Sequence, residues 1–189
     1  MLNHIPKILT GEMLKVLSNM GHGDVLILAD ANFPGDTIAK ETTYGKLIRC
    51  PGTDVVQLYE AIHELFPLDV DYSASPAVVM ALTESDKAKG MATPSVWEKY
   101  EAILKKRYPD AKLTPIGRLE FYERAKRSFV VIQTGEERQY GNLLLVKGCV
   151  LWWGTFRRSI VGSFNCAFFH DGFGTETSTV IFLTFADKE

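Results

Sequence analysis

Residues 20–34 read MGHGDVLILADANFP. Five apolar residues, Val25 to Ala29, run unbroken between a glycine-flanked histidine, His22, and an acidic residue, Asp30. A short, uninterrupted apolar run of this kind reads as a strand buried on both faces. The polar groups then fall at its two ends. Asp30 stands at the carboxyl end, where open α/β sheets place ligands; it reads equally as a cap on the following turn. His22 stands in a turn where Gly21 and Gly23 let the backbone approach a ligand closely; it reads equally as a turn residue and nothing more.

The flanking sequence supports the strand. Upstream, Thr10 has the chemistry of a helix N-cap, and Met13, Leu17 and Met20 follow at helical spacing. Gly21 then fits a left-handed helix stop. A helix end next to His22 favours the imidazolium, a group that titrates near neutrality. Downstream, residues 31–45 have turn chemistry and residues 47–50 form a possible short strand. Asp54 and Gln57 have capping-box spacing, and Val55, Tyr59, Ile62 and Phe66 mark a helical face ended by Pro67. LDVDY at 68–72 carries Asp69 and Asp71. Residues 77–82 read as a second inner strand, and 84–92 as a charged surface loop. Thr93 and Pro94 read as the cap and first-turn proline of a helix carrying Trp97, Tyr100 and Leu104 on one face, with Glu101 paired to Lys105. Residues 114–117 read as a turn and 118–127 as a charged helix beside a polar site. Residues 129–132 and 140–150 read as further strands. This alternation predicts an α/β sandwich, with helices on both faces of one sheet.

The 189 residues suffice for one domain with a proper core. A formal charge of −2 argues against a general electrostatic grip on nucleic acid or an anionic membrane. Cys50, Cys149 and Cys166 are odd in number and lack C-x-x-C spacing, so they read as reduced thiols in a cytoplasmic setting. Pro6, Lys7 and Gly11 break the apolar residues of the N-terminus, so it does not read as a secretory signal. No run approaches the roughly 20 apolar residues that span a bilayer.

Several long motifs occur in order: MGHGDVLILADANFP, FPLD at 66–69, SDKAKG followed by TPSVWEKYEAIL, RLEFYERAKRSFVV at 118–131 and TGEERQYGNLLLVKG at 134–148. Over residues 1–150 the chain resembles the fucose mutarotases, relatives of the bacterial ribose pyranases, in their animal form. The resemblance implies a three-layer α/β/α sandwich around one mixed sheet. It implies interconversion of the α and β anomers of L-fucose, with related pyranoses possible, and no cofactor or metal. By resemblance, His22 and Tyr122 are catalytic, and Asp30, Asp69, Arg118, Tyr140 and Asn142 contact the sugar. A homo-oligomer with sites at or near subunit contacts is also implied.

The residue types suit that chemistry. Opening a cyclic sugar removes a proton from the anomeric hydroxyl and delivers one to the ring oxygen; reclosure reverses both. A histidine serves in either direction near pH 7. Arg118 lies one helical turn before Tyr122, where a cation can stabilise a phenolate. Asp30 accepts hydrogen bonds from hydroxyls, and Asn142 both donates and accepts. Tyr140 offers a flat face and a phenol. Without the resemblance, Arg118 and Tyr122 read as a solvated helix face, and Tyr140-Gly141-Asn142 as a hairpin entry. His4, His63 and His170 lack ligand spacing and read as surface or structural residues.

Residues 151–189 depart from the family pattern. They hold Trp152, Trp153 and two β-prone runs around HDGFG, which fit a hairpin or an alternative chain end. New apolar surface there bears on assembly. A non-catalytic sugar-binding module, its oligomeric site altered by this tail, is the alternative to the enzyme. A pyranase acting on ribose is the third reading.

Overall fold

The computed structural model describes residues 2–150. The expected C-terminal hairpin, Cys166 and His170 lie outside the described residues. Helix α1 (Gly11–Asn19) opens on Thr10, whose side chain accepts from the Met13 amide at 3.2 Å. It is followed by β1 (Val25–Ala29), α2 (Gly35–Ala39), β2 (Leu47–Cys50), α3 (Val55–His63), β3 (Ala77–Met80), α4 (Glu84–Ala88) and α5 (Ser95–Arg107). Strand β4 (Leu113–Ile116), α6 (Arg118–Lys126), β5 (Val130–Thr134) and β6 (Leu143–Val146) complete the described chain.

The six strands form one sheet in the order β2-β5-β1-β6-β3-β4. The β2–β5, β5–β1 and β3–β4 pairs are parallel, and β6 runs antiparallel to both β1 and β3. Alternation along each strand splits the core in two. Leu26, Leu28, Val79, Val130, Ile132, Leu143 and Leu145 face α1, α3 and α5. Ile27, Ala29, Val78, Val131 and Leu144 face α2 and α6. Each of the Val, Leu and Ile side chains among them contributes about 1.5–3 kcal/mol on burial. The sheet is therefore mixed and covered on both faces, as expected.

Asp54 and Gln57 make the expected reciprocal capping box on α3, and Lys105 pairs with Glu101 at 3.2 Å. Other expectations are corrected. Helix α1 ends on Met20 in extended backbone, and the left-handed residue is Gly23 rather than Gly21. Part of the expected loop 84–92 is a short helix, α4, because Thr83 caps it through the Asp86 amide. Pro94, not Thr93, takes the N-cap position of α5, so the helix begins one residue later than expected. The expected turn at 114–117 falls on β4; Pro115 is tolerated there because β4 is an edge strand. Strand β6 spans only Leu143–Val146, and it pairs with β1 and β3, so residues 135–142 cross over β1 and do not turn a hairpin.

Candidate functional site

Because β6 alone is antiparallel, its first residue lies at the carboxyl ends of the other strands. Asn142 therefore meets Asp30, the residue that follows β1. The two grip each other reciprocally. The Asp30 amide donates to Asn142 Oδ1 at 2.9 Å, and Asn142 Nδ2 donates to Asp30 Oδ2 at 2.6 Å. Asp30 Oδ1 accepts from the Asn32 amide at 3.1 Å. Both side chains are buried. Burial pushes the Asp30 carboxyl above the usual range, opposed by the bonds from Asn32 and Asn142. Two further groups hold the loop after Asp30. Gln133 Nε2 donates to the Phe33 carbonyl at 2.9 Å, and the Ala31 amide donates to the Glu136 carbonyl at 2.9 Å. Gly141 is needed here: a Cβ would lie 2.7 Å from Glu136 Cγ and 3.0 Å from the Arg138 carbonyl oxygen.

Tyr140 stands next to this pair with a left-handed backbone, φ 62°. Its carbonyl accepts from the Trp97 indole at 3.0 Å, and the Gly141 carbonyl accepts from the Tyr100 hydroxyl at 2.7 Å. Arg118 opens α6 directly after the carboxyl end of β4, and its charge helps hold the Asp86 carboxyl low. Tyr122, one turn further on, is half-buried, with its ring 5.7 Å from that of Phe33 in the Asp30 loop. Asp30, Asn142, Tyr140, Arg118 and Tyr122 thus share one end of the sheet.

His22 and Asp69 are at the other end. The His22 turn is tied to the end of β6: the Gly23 amide donates to the Lys147 carbonyl, and the Lys147 amide to the Asp24 carbonyl, each at 2.8 Å. Asp69 is hung from the same strand, its amide donating to the Val146 carbonyl at 3.0 Å. This brings Asp69 Oδ2 to 3.3 Å from His22 Nε2, with the His22 side chain 43% exposed and that of Asp69 only 8%. Asp69 Oδ1 accepts from the Tyr72 amide at 3.2 Å, and the exposed Tyr72 ring packs edge-on to His22 at 5.3 Å. Of the two carboxylates in LDVDY, Asp69 is the one built in; Asp71 is exposed.

Within one chain, His22 and Tyr122 do not meet. The five residues of β1 lie between the two clusters, roughly 16 Å of strand at about 3.3 Å per residue.

Sequence reasoning missed several residues that build these ends. Tyr100 and Trp97 looked like one helix face, and their polar tips gave no sign of the Tyr140-Gly141 carbonyls they reach. Lys147 looked like a polar residue within a strand. Its ammonium instead donates to the α1 carbonyls of Leu17 and Met20 at 2.7 and 2.6 Å, and lies 5.7 Å from the Phe66 ring centre. Burial pulls its pKa down, against the opposing charge of Asp24. Lys147→Met keeps the apolar stem and strands both carbonyls. It is expected to cost about 2 kcal/mol in urea denaturation, since hydrogen bonds to charged groups contribute about 1.5–3 kcal/mol.

Ionisable and hydrogen-bonding groups gather at the strand ends of this mixed α/β sandwich, and the carboxyl ends, where Asp30 lies, are where open α/β sheets place small ligands. Among the described residues, no helix is long and apolar enough to cross a membrane. Residues 3–150 match the RbsD / FucU transport protein family. The chain belongs to that family. It is 49% identical over 148 residues to the fucose mutarotase of Mus musculus, covering 78% of this chain and 94% of the relative. The human fucose mutarotase is 48% identical over 148 residues, covering 78% of this chain and 93% of the relative. Among solved structures, the fucose mutarotase of Streptococcus pneumoniae in complex with L-fucose is 36% identical, with TM-score 0.70, covering 79% of this chain and all of that one. The Bacillus subtilis RbsD complexed with D-ribose is 21% identical, with TM-score 0.56 over 80% of this chain, a likeness of fold alone.

Proposed function

We propose that this chain is a fucose mutarotase, interconverting the α and β anomers of L-fucose by acid/base ring opening and closure. The carrying observation is the His22–Asp69 pair: a half-exposed imidazole held by a buried carboxylate. With Nε2 facing the Asp69 carboxylate at 3.3 Å, Nδ1 is left to exchange a proton with a sugar. Asp69 fixes the ring and stabilises the imidazolium that forms.

In the forward step the anomeric O–H bond breaks, the C1–O bond to the ring oxygen breaks, and the ring oxygen gains a proton. The open-chain aldehyde rotates about C1–C2 and recloses on its other face, reversing each transfer. No electrons are gained or lost. His22 and Tyr122 supply the acid and base; Asp30, Arg118 and Tyr140 hold the hydroxyls. Asn142 is engaged with Asp30 through both amide ends, so its main part is to aim that carboxylate.

The two ends of one chain are too far apart to share a hexose. The reading therefore includes a homo-oligomer, in which His22 and Asp69 of one copy face the Asp30–Tyr122 end of another. Two large side chains beside the clusters support it: Tyr72 is 78% exposed and Leu119, on α6 near Tyr122, is 76% exposed. An open groove between α6 and the sheet, floored by Val25, Leu144 and Val146 and rimmed by Glu120 and Arg124, offers a further contact. Among the described residues, Cys50 and Cys149 are free thiols, which supports a cytoplasmic setting.

Saturation-transfer NMR on L-fucose tests the reading. Exchange between the anomer signals is expected to be faster with the protein than in buffer alone. An unchanged exchange rate, with fucose still bound by calorimetry, favours the sugar-binding module instead.

A further inference from the structure

Asp86 lies on α4, in the charged SDKAKG stretch, and the chemistry above makes no use of it. Its Oδ2 accepts from the Tyr140 hydroxyl at 2.5 Å and from Thr83 Oγ1 at 2.8 Å. The Thr83 amide in turn donates to the Tyr140 phenol oxygen at 3.2 Å. Lys89 Nζ lies 3.8 Å from Asp86 Oδ1. The bonds from Tyr140 and Thr83, with the charges of Lys89 and Arg118, hold the Asp86 carboxyl below the usual carboxylate range. At neutral pH it therefore accepts hydrogen bonds and donates none.

A phenol has one proton to give and two lone-pair positions to receive. Here the proton goes to Asp86, and one receiving position is filled by the Thr83 amide. One acceptor position is left. The ring is also held from behind. Its left-handed backbone is disfavoured for a bulky side chain, and it is pinned by the Trp97 indole on the Tyr140 carbonyl and the Tyr100 hydroxyl on the Gly141 carbonyl. Two elements, α4 and α5, thus converge on one tyrosine from outside the site.

We propose that Asp86 is a positioning residue of the sugar site: it takes the Tyr140 hydroxyl proton, so that Tyr140 meets the sugar as a hydrogen-bond acceptor held in one orientation. The Thr83–Asp86 corner is then part of the site's construction and not merely a surface loop. This rests on the mutarotase reading, and the test separates the two.

Asp86→Ala frees the phenol to rotate and to donate. It is expected to raise KM for L-fucose about five- to tenfold, the worth of one hydrogen bond, with a smaller change in kcat. Asp86→Asn retains a carbonyl that accepts the phenol proton, and it is expected to stay within about threefold of the unsubstituted protein. In a Tyr140→Phe background, Asp86→Ala is expected to add less than about twofold, because the group through which it acts is gone. An undiminished effect in that background, or a fall in kcat with KM unmoved, overturns the proposal. The unsubstituted protein is measured first: if it neither binds L-fucose nor speeds anomer exchange, the mutarotase reading fails and this proposal with it. If it does speed exchange and the two substitutions act independently, only the Asp86 proposal fails.

Discussion

His22→Ala and Tyr122→Phe, each nearly inactive alone, are expected to recover about a quarter of the unsubstituted rate when unfolded together in equal amounts and refolded. Placed acid/base groups contribute about 10²–10⁴-fold, so each single variant should lose a factor of that size. Tyr122→Phe keeps the ring that packs on Phe33 and removes only the hydroxyl. If a site takes its histidine from one copy and its tyrosine from another, random mixing leaves one site in four with both groups intact. That fraction is the same for a pair of chains and for a closed ring. Anomer exchange by NMR, before and after mixing, reads it directly. A mixture as inactive as its components places both groups of a site on one chain, contrary to the separation across β1.

The second large effect concerns acid stability. His63, the last residue of α3, is 2% exposed. Among the described residues, neither of its ring nitrogens has a hydrogen-bond partner, nor does the nearby Tyr59 hydroxyl. The ring packs edge-on to Tyr59 at 5.4 Å and to Tyr108 at 5.9 Å. Burial first, then the charges of Arg107 and Lys106, lower its pKa from 6.5 to about 4, with Glu64 and Glu60 opposing. The unfolded chain therefore binds a proton below about pH 6.5 that the folded chain refuses until about pH 4. Stability falls as pH drops through that window and is unaffected by this group above it. The full loss is on the order of 3 kcal/mol. His63→Phe removes the titration, so the stability gap between the two proteins should shift by that amount between pH 7.5 and pH 4. Urea denaturation at both values measures it. Losses from titrating carboxylates are common to both proteins and cancel. An unchanged gap would mean that the ring takes up its proton in the folded state near its ordinary value.

Much of this fold was legible from local patterns. The unbroken run from Val25 to Ala29 read as an inner strand, and the capping signals at Thr10 and Asp54 opened helices where they were read. Strand β4 was hidden because a proline marks a turn in most settings, and only its place at the sheet edge permits it. Helix α4 was hidden because five charged and small residues carry no periodicity. The order of the sheet was not legible at all: nothing local in LLLV says that it inserts between β1 and β3 in reverse. The same limit applied to the candidate site. Residue types and motifs picked out His22, Asp69, Asp30 and Asn142, yet only the strand directions pair them as His22 with Asp69 and Asp30 with Asn142. Asp86, Tyr100 and Lys147 escaped notice because each reaches its partner across the fold.

Strand β6 carries a consequence for how such a protein can change. It is four residues long, buried between two neighbours, and leads at one end into Lys147 and at the other out of Asn142. Insertions in surface loops leave its length untouched, so they cannot alter the span between the His22–Asp69 end and the Asp30–Asn142 end. That span behaves as a fixed ruler: substitutions can retune the chemistry at either tip, but bringing the tips within reach of one sugar ring would require a different sheet.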